Sequence, residues 1–235
     1  TRLVSDWSSD VCSSDLTHRE FTSPLFMADA LSDRSKYSAL SPTAYADGLP
    51  RSQFMHSAIR ELWPQIPRIA GPAYTVRCTP GDNLMLHAAI YRAKPGDVIV
   101  VEAGNSDYAM SGGNVCAIAQ KRGITAFIID GAIRDIAEVR EARFPVFAKG
   151  VIPKPGVKET LGELGIPITC GGVKVFPADM IIADEEGIAV VPHQQLETVW
   201  QIAKDRTDKD AAQSLEDWAK AHQAKIERIL SEKGF

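Results

Sequence analysis

Ile128-Ile129-Asp130-Gly131-Ala132-Ile133-Arg134-Asp135 is the stretch on which the reading of this chain turns. Its approach, Ala126-Phe127-Ile128-Ile129-Asp130, is short, apolar and rich in β-branching, the composition of a buried strand. A glycine turn follows, and a charged pair then opens a helix predicted over Asp135 to Ala142. In open α/β sheets, ligands gather where strands end and helices begin. Arg134 carries a planar fork that can clamp a carboxylate. Asp135 offers oxygen to a hard cation such as Mg2+. The residues alone allow a plainer reading too, in which Asp135 caps the helix and Arg134 pairs with Glu138.

The flanking sequence repeats the same alternation. Ile69 to Val76 reads as a strand interrupted by a Gly71-Pro72 bend, and Asn83 to Ala93 as a helix. Val98 to Val101 is a second buried run, followed by a small-residue helix over Gly112 to Arg122. Phe144 to Ala148 is a further strand. Beyond it come consecutive β segments at Pro167–Cys170, Val173–Phe176, Met180–Ala183 and Ile188–Pro192. Short helices are predicted around Ser23–Ser35 and Met55–Leu62, and charged helix from Gln195 to Phe235. The pattern predicts one layered α/β domain over residues 68–192, with an extension at 17–67 and a helical region at 193–235. Residues 1–16 show no hydrophobic period. The string Asp6 to Leu16 matches a sequencing adapter translated in one frame, or else is a disordered tail, so Trp7 and Cys12 carry no chemistry.

A second signal is Gly112-Gly113-Asn114-Val115, where glycines ahead of a helix let backbone N–H groups approach an anion. Tight backbone packing would explain two glycines there equally well. Asp179 and Asp184 read as turn formers. Lys149 and Lys174 are the lysines near strand ends that could form a Schiff base, but neither sits in an apolar pocket. The histidines lack metal spacing, His87 reads as a packed or surface residue, and Cys116 as a buried thiol. No nucleophile elbow or P-loop occurs.

Bulk properties exclude whole classes. With 235 residues, 45% apolar and 24% charged, the chain is an ordinary globular protein. A net charge of −4 argues against nucleic acid as the main partner, since phosphate binding needs clustered cations. No apolar run is long enough to span a membrane, and no secretory signal opens the chain. Four cysteines without CxxC spacing fit reduced thiols, and the expected location is cytoplasmic.

Taken in order, these motifs amount to a resemblance. Gly71-Pro72-Ala73, Asp82-Asn83, Pro95-Gly96-Asp97-Val98, Asp130 to Asp135, Phe144 to Ala148, Gly171-Gly172-Val173 and Ala183-Asp184 keep their order across Asp29 to Pro192. The chain resembles the family that unites 4-hydroxy-4-methyl-2-oxoglutarate / 4-carboxy-4-hydroxy-2-oxoadipate aldolases with the ribonuclease E activity regulator A. The resemblance implies a swivelling β/β/α domain, assembled as homotrimers or dimers of trimers with sites between subunits. It implies that Asp135 binds Mg2+, Mn2+ or Co2+, that Arg134 holds the oxo-acid end, and that Gly112, Gly113, Asn114 and Val115 supply backbone donors. It also implies class II aldolase chemistry on small 2-oxo acids, with pyruvate as a product and oxaloacetate decarboxylation as a side activity. Asp210 is the counterpart of a C-terminal carboxylate that reaches a neighbouring subunit. The chain departs from such aldolases at Gly113, where an acid is usual, and Asp107 or Asp82 could replace it. It departs again at Pro177-Ala178-Asp179, where Pro-Gly-Asp is usual and a small backbone change is expected. The non-catalytic regulator is the alternative reading; a methyltransferase would need an adenosyl-binding glycine loop, which is missing.

Overall fold

The computed structural model describes residues 34–235. The stretch 1–16 lies outside the described residues, as does nearly all of the helix predicted at Ser23–Ser35, whose end survives as helical residues 34–38. A two-residue strand, β1 (Arg60–Glu61), precedes β2 (Ile69–Arg77), β3 (Val98–Glu102), β4 (Ala126–Ile133) and β5 (Val146–Val151). The last four lie side by side and parallel in chain order. Parallel neighbours need crossovers, and these are the helices α1 (Leu84–Ile90), α2 (Gly113–Lys121) and α3 (Ile136–Glu141). Right-handed crossovers put all three helices on one face, where α1 touches α2 and α2 touches α3.

Antiparallel pieces complete the sheet. β6 (Glu163–Leu164) pairs with the end of β2, and the hairpin of β7 (Ile168–Cys170) and β8 (Val173–Val175) packs on β2 and β3 as a further layer. β9 (Met180–Asp184) and β10 (Gly187–Val191) extend the sheet beyond the first half of β2. The order is β1-β5-β4-β3-β2-β9-β10, and the segment carrying β1 also bridges Phe54 to Ala189 on β10. That segment ties the two edges together, so the sheet is nearly closed and both edges are covered.

Burial explains the strands. Val98, Ile99, Val100 and Val101 are all fully buried, because β3 has neighbours on both sides and layers on both faces. Each such side chain contributes about 1.5–3 kcal/mol on leaving water. A second apolar cluster joins Tyr37, Tyr45 and Leu49 of the extension to Ile182 and Val191 of the sheet, with Val199 and Ala203 of α4 (Leu196–Ala212).

Four expectations change. The helix predicted at Met55–Leu62 is replaced by a turn and β1, whose register on β5 holds Trp63 where its Nε1 donates to Phe144 O at 3.1 Å. β2 runs unbroken through Gly71-Pro72, which mark the change from β9 to β3 as partner. Gly131 is not a turn; β4 continues to Ile133 past an irregularity between Ile129 and Ala132. A Cβ at Gly131 would lie 2.7 Å from that of Ala103, so the bulge requires glycine. Finally, the C-terminal helix divides at Gln213-Ser214 into α4 and α5 (Leu215–Glu232), with Ser214 Oγ accepting from the N–H of Asp217 at 3.1 Å.

Candidate active site

The site forms where three connections meet at the C-terminal ends of the parallel strands. The chain after β3 returns along β4: the Met110 N–H donates to Ala132 O at 2.8 Å and the Arg134 N–H to Ser111 O at 3.0 Å. These bonds set the Gly112-Gly113 start of α2 beside Arg134 and Asp135. The Gly113 N–H donates to Asp135 Oδ2 at 3.2 Å, and Arg134 Nε lies 3.3 Å from the same oxygen. Asp135 does not cap α3 with its side chain, and its backbone is left-handed at φ 58°. The plainer reading fails on both counts, since Arg134 turns to Asp135 and forms no ion pair with Glu138.

The two glycines are steric requirements here. A Cβ at Gly112 would run into Asp135 Oδ2 and lie 3.1 Å from Arg134 Cγ. One at Gly113 would run into Glu138 Oε2, with Glu138 Cδ 2.9 Å away. Nothing caps α2 through a side chain, so the N–H groups of Asn114 and Val115 at its first turn have no acceptor within the helix. They point a partial positive charge toward the pocket.

The cavity beside them measures about 80 Å³, and Arg134, Asp135, Asn83, His87 and Lys158 reach its wall. Of the last three, the sequence reading took His87 for a packed or surface residue, gave Asn83 only a place in the Asp82-Asn83 motif, and did not single out Lys158. They arrive from α1 and from the loop after β5, far from Arg134 in the chain. Asp82 brings those elements together: its carboxylate accepts from the N–H groups of Leu84, Glu159 and Thr160, each within 2.8 Å. Burial alone would raise its pKa, but the three donors hold it below the ordinary value. Asp82 is therefore a clamp and does not replace the acid missing at position 113. Asp107 stands in an exposed turn, its N–H on Asn105 Oδ1 at 3.2 Å.

Burial, helped by the nearby Lys158 cation, pushes His87 down to about 4, so the imidazole is neutral near pH 7. Asn83 Nδ2 donates to Ala109 O at 3.3 Å, while its buried Oδ1 has no partner. Cys116 behaves as expected: burial raises its thiol to about 11, and it is no nucleophile. Lys149 is ion-paired with Asp130, and Lys174 lies over the Phe176 ring, so neither Schiff-base candidate is near the pocket. Lys158 is the lysine that is. Asp179 and Asp184 are turn formers as predicted, accepting from Phe176 N and Glu186 N at 2.9 Å. Asp210, on α4, pairs with Arg206 Nε at 2.7 Å and lines a separate groove with Asp47. Within one chain it does not join Arg134 and Asp135.

The oxygen donors suit a hydrated hard cation better than a closed protein cage. Among the described residues no group of three or more His, Cys, Asp or Glu side chains could enclose a metal. Asp135, a single carboxylate on the wall of a small polar cavity, fits an ion that retains most of its water, as Mg2+ does.

Residues 30–190 match the family model described as RraA-like, aldolase/RraA. The chain belongs to this RraA-like family. One RraA-like relative is a Halalkalibacterium halodurans protein provisionally named 4-hydroxy-4-methyl-2-oxoglutarate aldolase; it is 36% identical over 199 residues, covering 83% of this chain and 94% of its own. The Thermus thermophilus protein named 4-hydroxy-4-methyl-2-oxoglutarate aldolase is 33% identical over 126 residues, or 53% of this chain and 76% of that one. A solved structure titled the RNA-processing inhibitor RraA from Thermus thermophilus superposes with a TM-score of 0.59 at 29% identity, covering 64% of this chain and 92% of the other. The RraA-like fold therefore bears names of both kinds. The relatives' names support an aldolase-like lyase, as the resemblance implied.

Proposed function

We propose that the protein is a divalent-metal-dependent lyase that cleaves 4-hydroxy-2-oxo di- or tricarboxylic acids to pyruvate, and decarboxylates oxaloacetate as a side activity. One observation carries the reading: a guanidinium fork, a carboxylate and the open start of α2 share one small polar pocket. Arg134, with the N–H groups of Asn114 and Val115, binds the carboxylate next to the 2-oxo group. Asp135 holds the cation, Mg2+ in the first instance and Mn2+ or Co2+ otherwise. Bound there, the cation supplies Lewis acidity that polarises the 2-oxo oxygen and stabilises negative charge on the pyruvyl half. The bond between C3 and C4 breaks, the C4 hydroxyl gives up its proton as C4 becomes a carbonyl, and C3 takes up a proton. Lys158, exposed on the wall of the same cavity, is the cation for the distal carboxylate, and the neutral His87 adds no competing charge.

The working unit is a homotrimer or a dimer of trimers. Asp210, outside its own chain's pocket, acts on a neighbour's. The test is pyruvate release from oxaloacetate and 4-hydroxy-4-methyl-2-oxoglutarate, with Mg2+ and then with excess EDTA, above the uncatalysed metal rate. Turnover that vanishes under EDTA is expected. Turnover that survives, with borohydride trapping of Lys158, would replace the metal by a Schiff base. Absence of turnover on both substrates would turn the reading to a ribonuclease-binding regulator, which the RNA-processing inhibitor of the same fold makes the alternative.

A further inference from the structure

Glu138 stands on the first turn of α3 and its carboxylate reaches back over Gly113. The approach is close along the whole side chain: a Cβ at position 113 would sit 2.9 Å from Glu138 Cδ and 3.0 Å from its Cβ. The N–H of the same Gly113 donates to Asp135 Oδ2. Two carboxylates thus flank one backbone unit, one hydrogen-bonded to its nitrogen and the other seated on its Cα. Arg134, which lies outside α3 ahead of the left-handed Asp135, is turned to Asp135, and among the described residues no cation pairs with Glu138. An acid in a first helical turn gains from the helix dipole, which accounts for the residue type but not for its lie across Gly113. The buried, unpartnered Oδ1 of Asn83 on the wall of the adjoining cavity is a further oxygen without a positive partner.

We propose that Glu138 is the second acid of the cation site, delivered from α3 across Gly113 to act beside Asp135. The proposal rests on the metal-dependent reading above. A hydrated Mg2+ or Mn2+ is held through one or two carboxylates, and its waters need acceptors. Glu138 is then a positioning residue that accepts hydrogen bonds from the hydration shell and adds a negative charge; it touches no substrate. Gly113 is the other half of the device, because any side chain there would expel Glu138.

The experiment is Mn2+ binding to the full chain, followed by calorimetry and by water-proton relaxation, with no substrate present. Glu138→Gln keeps shape and removes charge; it should weaken Mn2+ roughly 10-fold or more, as loss of an outer-shell partner does. Glu138→Ala should weaken it at least as much, with the thermal midpoint lowered by no more than about 2–4 °C, because the exposed side chain gives up only its interaction with the helix dipole. Glu141→Gln, one turn further along the same exposed face, should leave affinity at the wild-type value. Wild-type affinity in Glu138→Gln would overturn the role of Glu138 while leaving the metal reading intact. Equal losses in Glu138→Gln and Glu141→Gln would also overturn it, reducing the effect to net charge. No Mn2+ binding by the wild-type protein at millimolar ion would overturn both readings.

Discussion

Two clusters of charge sit at the same ends of the same parallel strands, and they are built to opposite rules. Under the β7–β8 hairpin, Arg77 pairs with Glu102 at 3.2 Å and Glu163 at 2.8 Å and donates to Pro167 O at 3.1 Å. Glu102 accepts from the Thr169 N–H at 3.1 Å, and Asp130, paired with Lys149, accepts from the Gly171 N–H at 2.9 Å. Every charge there has an opposite charge or a backbone partner, and together they fasten the hairpin to the sheet. On the helix side, Arg134 and Asp135 make one long contact with each other, Asp135 takes one further bond from the Gly113 N–H, and among the described residues neither Glu138 nor Lys158 has an ion-pair partner. Completed pairing marks structure. Charges grouped round glycines with pairing left unfinished mark a place for something else to bind.

The comparison is broken or sharpened by substitution on each side. The largest effect is expected from Asp135→Ala, which should reduce metal-dependent turnover about 1,000-fold or more, the several kcal/mol that a Lewis acid supplies. Its melting temperature should fall by only about 2–4 °C, because alanine tolerates the left-handed backbone less well than aspartate; retained turnover would remove the helix-side cluster from the chemistry. Arg134→Lys should lower kcat/KM about 100-fold, since a point charge forfeits about 1.5–3 kcal/mol of forked hydrogen bonding. A mere doubling of KM would mean that Arg134 is no more than a counter-charge. Arg77→Ala on the hairpin side should do the reverse. These pairs are partly exposed, so a loss of about 1 kcal/mol is expected, lowering the melting temperature by about 2–4 °C with turnover per folded molecule unchanged. A collapse of kcat there would make both clusters functional and dissolve the distinction.

The smallest effect belongs to Ala178. It keeps the turn between Phe176 and Asp179 but takes φ 69°, a left-handed conformation that costs a residue with a Cβ. At the position where the sequence suggested a small backbone change, alanine takes the left-handed conformation itself and bears its strain. Ala178→Gly should therefore raise stability by up to about 1 kcal/mol, after glycine's greater freedom when unfolded is deducted. An unchanged melting temperature would mean the turn has room for the methyl.

Local signals carried much of this into the sequence. The β-branched runs marked the buried strands, small residues and glycines marked α2, and the Arg134-Asp135 pair was legible because both residues lie at one strand end. What was hidden depended on contacts between distant segments. A helical period at Met55–Leu62 could not reveal that β5 offers those residues an edge to pair with. Gly131 had the look of a turn because a bulge and a turn ask the same freedom of a glycine. His87 and Lys158 had no motif, since their meeting depends on the Asp82 clamp. Glu138 was visible only as a candidate partner for Arg134; its lie over Gly113 is a fact of packing between α2 and α3.

Asp135 holds a left-handed backbone between β4 and α3. Glycine or asparagine would sit there at least as comfortably, and neither carries a carboxylate. Those replacements relax or tolerate the bend, so thermal selection has no reason to prefer aspartate. In evolutionary terms, a descendant released from the need for a negative charge at this bend could drift to Asn or Gly without losing its fold. The side chain at this one position would then tell a lineage that still uses its pocket from one that has kept only the scaffold.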